Sequence, residues 1–309
     1  MERLRKIDIK KATSIAGTIL MIASLFFIGI RLADMWDYLN FYILASAGTI
    51  MLLLLVVFGE SFNVLLIAEN FRFLVRDLSQ LAINRPLAMK IYNSANMYKY
   101  IPGGFMYIVG RSQLAVEVDE LSHGKVALST AIEGVLWAVA ALILASIYTF
   151  DYLVLYVGQR DLHFLWLMLG LLAPVVVLVA YRFRHKIKEI TKGLRAMMVI
   201  KRLMTMLVIV NFWGMSFLAT MAILGQPITL SLGFTIVGLF IVSWLVGYLT
   251  PGAPSGLGIR EIVLMMFLSG IVYEDILLSA IVIHRALQIF GDLVAYGIAW
   301  SYARIKLKA

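Results

Sequence analysis

The sequence predicts an all-α fold, a polytopic bundle of membrane helices with about eight spans. Of its 309 residues, 62% are hydrophobic and 15% are charged, whereas a soluble domain has roughly 45–50% apolar and about 25% charged residues. The charged residues cluster between long apolar runs, and the mean hydropathy is +0.92. No stretch between the runs is long enough for a soluble core. We therefore expect residues 1–309 to form a single integral membrane domain.

Each apolar run is a candidate span. The first run has 19 residues, which at ~1.5 Å per residue covers the ~30 Å hydrocarbon core. Bulky and acidic residues follow it, so we expect a retained span rather than a cleaved signal peptide. The seventh run is short, which favours a broken or tilted element. The eight runs are 12–30, 41–59, 126–150, 162–181, 203–224, 230–249, 261–273 and 276–302.

The distribution of basic residues predicts the orientation. Lysine and arginine are concentrated in residues 1–11 and in the loop 182–202, and the positive-inside rule places such segments in the cytoplasm. Eight crossings return the basic C-terminal tail to the same side. We therefore expect a multi-pass protein of the cell membrane with both termini cytoplasmic. The net charge of +9 is explained by these loops, so nucleic-acid binding is not predicted.

Residues 60–125, between the second and third runs, are too polar for a simple span and too apolar for a loop. Two interpretations remain open for residues 62–81. They form either an interfacial helix lying in the headgroup plane or a cytoplasmic extension of the second span.

Two Pro-Gly segments predict an internal repeat. In each, a tyrosine precedes the prolyl-glycine and an arginine follows nine residues after the proline. One segment lies between the second and third runs and the other between the sixth and seventh. We therefore expect two parallel four-span halves, about 1–181 and 203–309, joined by the basic loop 182–202. The repeated residues are Tyr100, Pro102, Gly103, Gly104 and Arg111 in one half, and Tyr248, Pro251, Gly252 and Arg260 in the other.

A Pro-Gly step ends a helix and leaves backbone groups unpaired, so each segment predicts a re-entrant or broken helix that lines protein or water. A helix restarting there presents amide donors, and a nearby arginine suits a phosphate. Arg111 and Arg260 are therefore predicted to bind substrate. The alternative is that both segments are tight turns whose arginines reach lipid headgroups.

Four ionisable residues lie well inside the predicted spans: Glu133 in the third, and His284, Arg285 and Asp292 in the eighth. An unpaired charge there costs at least about 2.5–3.5 kcal/mol, so these side chains should face the protein interior or water. Two interpretations remain open. The residues form either a proton or ion relay, or interhelical salt bridges such as Glu133 with Arg285 or Arg111.

Cofactor and metal binding are not predicted. The Gly-rich segment after Pro251 lacks a preceding strand and a following Lys-Ser/Thr, so the nucleotide signature fails. The chain has no cysteine, and its four histidines are far apart in sequence.

The segment from Lys99 to Gly104 with Arg111, and the segment from Pro251 to Glu261, resemble the two hallmark segments of the lysylphosphatidylglycerol synthase transmembrane-region family, also called flippase-like proteins. The resemblance covers nearly the whole chain. It implies a module that moves lipids between leaflets, without the soluble aminoacyl-transferase domain, for which we expect no room. The second segment adds Gly256, Gly258 and Glu261 to the candidate substrate-binding residues.

The sequence departs from the family's pattern at two positions. The family's third-span segment tends to place an arginine after the glutamate, whereas Gly134 follows Glu133. Ala253, rather than glycine, follows the second Pro-Gly. Both departures affect the inference of which lipid is recognised.

These observations predict a lipid translocator rather than an enzyme. The expected substrate is a phosphate-bearing lipid, such as an anionic or aminoacylated phospholipid or a polyprenyl-phosphate-linked glycolipid. A homo-oligomer or partners in envelope biosynthesis are compatible with the sequence. Two alternatives remain: an embedded enzyme acting on a lipid phosphate, with Glu133, His284 and Arg285 as acid, base and clamp, and a scaffold that transports nothing.

Overall fold

A computed structural model describes most of the chain outside its N-terminal region and the basic loop. The described residues are 46–79, 81, 83–100, 106–115, 123–159, 196–250, 256 and 258–307. They form eight α-helices and a short 3-10 helix, with no strand among them. The helices are α1 Ala47–Ser79, α2 Arg85–Asn96, α3 Met106–Leu114, α4 His123–Gln159, α5 Ala196–Ile223, α6 Leu230–Leu249, α7 Ile259–Leu268 and α8 Glu274–Lys306, with the 3-10 helix at Met97–Tyr100.

Five of these helices are long and apolar enough to cross a bilayer: Ala47–Ser79, His123–Thr149, Ala196–Ile223, Leu230–Leu249 and Glu274–Lys306. They coincide with five of the eight predicted runs, and the described part of the chain is that of an all-helical, multi-pass membrane protein. The runs 12–30 and 162–181 lie outside the described residues. Helix α7 has 10 residues and a length of ~15 Å, so the seventh run is a short element, as its length predicted.

The outer surface of the bundle is strongly apolar. Leu55 and Phe58 in α1 are 59% and 61% exposed, and Ile147 in α4 is 68% exposed. Large apolar side chains directed away from a helical core are the expected lining against lipid tails, which are as apolar as leucine. The exposed surface therefore supports the same conclusion as the lengths of the helices.

Helix α1 continues without a break for 33 residues. Residues 62–79 are thus an extension of the second predicted span rather than a separate interfacial helix. Its last turns carry a salt-bridged cluster in which Glu69 contacts Arg72 at 2.7 Å and Arg85 at 3.3 Å. The next helix, α2, begins after Asn84, whose side-chain oxygen accepts a hydrogen bond from the Leu87 amide and satisfies a free donor of the first turn.

Helix α1 packs against α2, α5 and α8 and forms the centre of the bundle. The closest approach to α8 is at Gly291, where the Ser61 hydroxyl donates to the glycine carbonyl at 3.0 Å. A Cβ atom at Gly291 would lie 2.6 Å from the Cβ of Glu60, so only glycine fits this crossing. Small residues at a helix contact allow such close packing in membranes.

Candidate functional site

A cavity of about 640 Å³ lies between the helices. Each of the eight described α-helices and the 3-10 helix contributes at least one side chain to its wall. Seven charged side chains line it, four of them basic and three acidic: Lys99, Arg111, Arg260, Arg285, Glu60, Glu133 and Asp292. A space of this size is in the range of small-ligand sites.

The first charged group joins α2, α3 and α4. Arg111 Nη1 lies 2.7 Å from Glu133 Oε2, and the Tyr92 hydroxyl donates to Glu133 Oε1 at 2.9 Å. The Arg111 guanidinium also stacks over the Tyr92 ring, with its central carbon 4.0 Å from the ring centroid. Burial raises the pKa of Tyr92 well above its ordinary value, so its hydroxyl remains a neutral donor. The predicted salt bridge between Glu133 and Arg111 is confirmed.

The second charged group is centred on Asp292 of α8. Its carboxylate lies 2.6 Å from Lys99 Nζ and accepts hydrogen bonds from the Asn96 amide at 2.9 Å and from the Tyr100 hydroxyl. Burial and the adjacent Asp292 carboxylate raise the pKa of Tyr100 well above its ordinary value. Three residues at the end of α2 and in the 3-10 helix are thereby attached to α8. The first predicted Pro-Gly segment begins directly after this attachment.

Arg260, the second residue of α7, differs from these groups. It is 7% exposed and has no carboxylate within 4.0 Å among the described residues. Its guanidinium carbon lies 5.2 Å from the Phe240 ring centroid. A second arginine, Arg285, lines the same cavity. This part of the wall therefore presents a buried guanidinium that has no close carboxylate among the described residues.

Two glycines make room for the Arg260 side chain. A Cβ at Gly247 would lie 2.5 Å from Arg260 Cγ, and a Cβ at Gly256 would lie 3.0 Å from Arg260 Cδ. Gly256 also has φ +70, a left-handed conformation that favours glycine. Gly247 in α6 and Gly256 before α7 thus allow the backbone to approach the arginine side chain closely.

Another part of the wall is aromatic. Trp137 and Trp213 contact each other edge to face, with centroids 5.1 Å apart, and Trp213 lies 5.2 Å from Trp244. Tyr248 stacks on Trp244 at 5.1 Å with nearly parallel rings. All four rings line the cavity. The space therefore combines buried charged side chains, Arg260 among them, with a broad apolar surface.

The structure brings seven of the predicted site residues to this cavity: Tyr100, Arg111, Glu133, Gly256, Arg260, Arg285 and Asp292. Gly258 is the N-cap of α7, with φ +84. Pro102, Gly103, Gly104, Pro251 and Gly252 lie outside the described residues.

Glu261 and His284 do not line the main cavity. Together with Arg260 and Arg285 they border a far smaller space, which shares these two arginines with the main cavity. His284 contacts the rings of Phe217 and Phe240 edge to face, and its Nδ1 lies 3.3 Å from the Thr220 hydroxyl. Of the three α8 residues predicted to form a proton or ion relay, His284, Arg285 and Asp292, His284 is therefore packed in the aromatic core.

Sequence analysis did not identify Glu60 or the aromatic wall as site features. Glu60 directly follows the apolar run 41–59 in the sequence, although α1 continues past it. The signal that could have identified Glu60 as a site residue is a charged residue inside a continuous helical pattern. Trp137, Trp213 and Trp244 come from three different helices, so sequence spacing carried no sign of their contact.

The chain matches no protein-family model and no curated protein.

Proposed function

We propose that this protein is a lipid translocator that moves a phosphate-bearing lipid between the two leaflets. The observation that carries the proposal is Arg260. It is a buried arginine without a carboxylate partner among the described residues, and it lines a cavity of about 640 Å³ enclosed by helices long enough to span a membrane.

A phosphate would complete this arrangement. The guanidinium of arginine binds phosphate oxygens through two parallel hydrogen bonds, and Arg285 lies on the same wall. A buried guanidinium without an adjacent anion is costly, and Arg260 has no carboxylate within 4.0 Å among the described residues. A lipid phosphate would supply that anion, while the aromatic wall would receive the less polar part of the headgroup.

The proposal includes a layout for the whole chain. It has eight spans in two parallel halves, re-entrant or broken helices at the two Pro-Gly segments, and both termini on the cytoplasmic side of the cell membrane. The short helices α3 and α7 support it, because each follows one Pro-Gly segment and contributes one predicted arginine to the same cavity. Membership of the flippase-like family is also part of the proposal. It is supported by the two sequence segments that resemble that family.

An embedded enzyme acting on a lipid phosphate has less support. Its predicted base, His284, is packed against Phe217 and Phe240 and does not line the cavity. Its predicted acid, Glu133, is held by Arg111 and Tyr92. A general acid and base must both reach the substrate, and this pair does not share the cavity.

Transport by purified protein in vesicles tests the proposal. Fluorescent phosphatidylglycerol and a fluorescent polyprenyl phosphate serve as probes, and a fluorescent diacylglycerol without phosphate controls for leak. A translocator moves the phosphate-bearing probes faster than empty vesicles do and returns them with unchanged mass. A changed mass indicates an enzyme. No acceleration for any phosphate-bearing lipid contradicts the proposal.

A further inference from the structure

Glu60 is an acidic residue within the membrane-spanning helix α1, and neither pair of charges described above involves it. It is 2% exposed, lines the cavity, and accepts one hydrogen bond at Oε1 from the Ser216 hydroxyl of α5. In the described part of the chain Oε2 accepts no hydrogen bond and no basic group lies within 4.0 Å of the carboxylate.

The backbone holds this carboxyl group at a junction of three helices. Gly291 of α8 lies so close that its Cβ position would be 2.6 Å from Glu60 Cβ, and the neighbouring Ser61 is hydrogen-bonded to the Gly291 carbonyl. Ser216 fixes the group from the third helix, α5. The carboxyl group is therefore positioned at the cavity wall and is not a flexible surface charge.

Charges on the surrounding elements act on Glu60 in opposite directions. The acidic Asp292 of α8 and the basic Lys99 of the 3-10 helix and Arg260 of α7 all line the same cavity as Glu60. Lys99 is paired with Asp292 at 2.6 Å. Arg260 has no carboxylate within 4.0 Å among the described residues, so an anion bound there would change the net charge of the cavity that Glu60 lines.

Three further charged side chains line the cavity. Arg285 of α8 and the Arg111–Glu133 pair of α3 and α4 face the same space, and the last two neutralise each other at 2.7 Å. Helix α5 presents the uncharged Ser216 to Glu60. An ionised carboxylate without an ion pair inside a spanning helix is costly.

We propose that Glu60 is a proton-binding site coupled to the binding of a phosphate-bearing lipid, so that one proton and one lipid cross together. A phosphate bound at Arg260 offsets the positive charge of that side chain and adds negative charge to the cavity that Glu60 lines, which favours the neutral, protonated form of Glu60. Glu60 then binds a proton at Oε2, while Ser216 continues to donate to Oε1. This inference rests on the proposed function for the transport step, although the coupling of the two binding events does not require transport.

Coupling of this kind is reciprocal: if phosphate favours the protonated carboxyl group, protonation favours phosphate binding to the same degree. With lipid bound, the cavity holds a phosphate beside Arg260 and a neutral Glu60. Without lipid, it holds the buried Arg260 guanidinium without a phosphate and an ionised Glu60. Because proton and lipid move in the same direction, an imposed proton gradient should drive lipid from the acidic side toward the alkaline side.

Proton uptake on ligand binding tests the coupling without transport. Short-chain phosphatidylglycerol is added to the protein in weakly buffered detergent containing a pH-indicator dye. Its phosphodiester does not titrate near neutral pH, so any proton taken up belongs to the protein. We expect uptake of up to one proton per lipid bound by the parent and by Glu69→Gln, and none by Glu60→Gln. Glu69 lies in the same helix, is ion-paired with Arg72 and Arg85, and is outside the cavity lining.

A pH gradient across proteoliposomes tests the transport step. One pH unit should sustain up to about a tenfold excess of fluorescent phosphatidylglycerol in the leaflet facing the alkaline compartment. In Glu60→Gln, whose amide can still accept from Ser216, the lipid should equilibrate equally with or without the gradient.

The outcomes separate the two proposals. Lipid movement that ignores the gradient, together with binding that takes up no proton, overturns the role of Glu60 and leaves the translocator proposal intact. Proton uptake on binding without lipid movement supports the coupled site and contradicts the translocator proposal. If Glu60→Gln does not fold, the gradient and uptake measurements on the parent protein decide alone.

Discussion

The Arg111 guanidinium and the Glu133 carboxylate form a salt bridge of 2.7 Å between the short helix α3 and the spanning helix α4, and both side chains are only 3% exposed. Breaking a buried pair by removing one partner leaves an uncompensated charge. The penalty is about 3–5 kcal/mol. Removing both charges avoids that penalty.

We therefore expect Arg111→Met and Glu133→Gln each to lower the melting temperature of the detergent-solubilised protein, and the double variant to recover most of the loss. Glutamine at position 133 retains an acceptor for the Tyr92 hydroxyl, so that hydrogen bond is not tested at the same time. Intrinsic fluorescence during heating provides the measurement. Two single variants that melt with the parent would show that the pair contributes nothing to the fold.

The close contact between Gly247 and the Arg260 side chain gives a second prediction. A methyl group at Gly247 would lie 2.5 Å from Arg260 Cγ, so Gly247→Ala should displace the arginine from the cavity wall. Overpacking of this kind costs about 1–3 kcal/mol, and a similar loss at the site would slow transport about tenfold. Gly233→Ala in the same helix is the matched control. Its added methyl meets only ordinary contacts of 3.4 and 3.5 Å. Equal transport by both variants would contradict the prediction that Gly247 positions Arg260 at the cavity wall.

Helix α8 gives a third prediction, on topology. It has 33 residues and a length of ~50 Å, so its ends should emerge on opposite sides of the membrane. The chain has no cysteine, which makes single-cysteine labelling unambiguous. We expect Asp275→Cys to react with an impermeant maleimide added to intact cells, and Lys306→Cys to react only after the membrane is opened. Labelling of Lys306→Cys in sealed cells would refute the orientation.

The spans were predictable because a run of about 20 apolar residues has few stable alternatives to a membrane helix. Arg111 and Arg260 could also be predicted as site residues from the sequence. Each lies at the same distance from a Pro-Gly step, and that repeated spacing is visible without knowledge of tertiary contacts. Both side chains line one cavity in the structure.

The other features of the site were not predictable, because they depend on which face of each helix packs against a neighbour. His284 and Asp292 are both polar residues of α8, yet Asp292 lines the cavity while His284 is enclosed by Phe217 and Phe240. Composition alone does not distinguish them, because the direction of a side chain is set by the partner helices. Glu60 was missed for a related reason, since the helix continues well beyond the apolar run that ends before it.

Transport by Arg260 variants tests the central claim most directly. Vesicles containing the parent, Arg260→Ala, Arg260→Lys or Arg304→Ala are compared for movement of fluorescent phosphatidylglycerol. Arg304 is an exposed arginine at the end of α8, stacked on Trp300, so its replacement controls for general loss of positive charge.

We expect Arg260→Ala to slow transport roughly ten- to hundredfold, the loss of a hydrogen-bonded charge worth about 1.5–3 kcal/mol. Lysine keeps the charge without the planar fork, so Arg260→Lys should be intermediate, and Arg304→Ala should match the parent. If Arg260→Ala folds, inserts and moves the lipid at the parent's rate, the cavity does not bind the lipid phosphate through this arginine and the proposed mechanism is wrong.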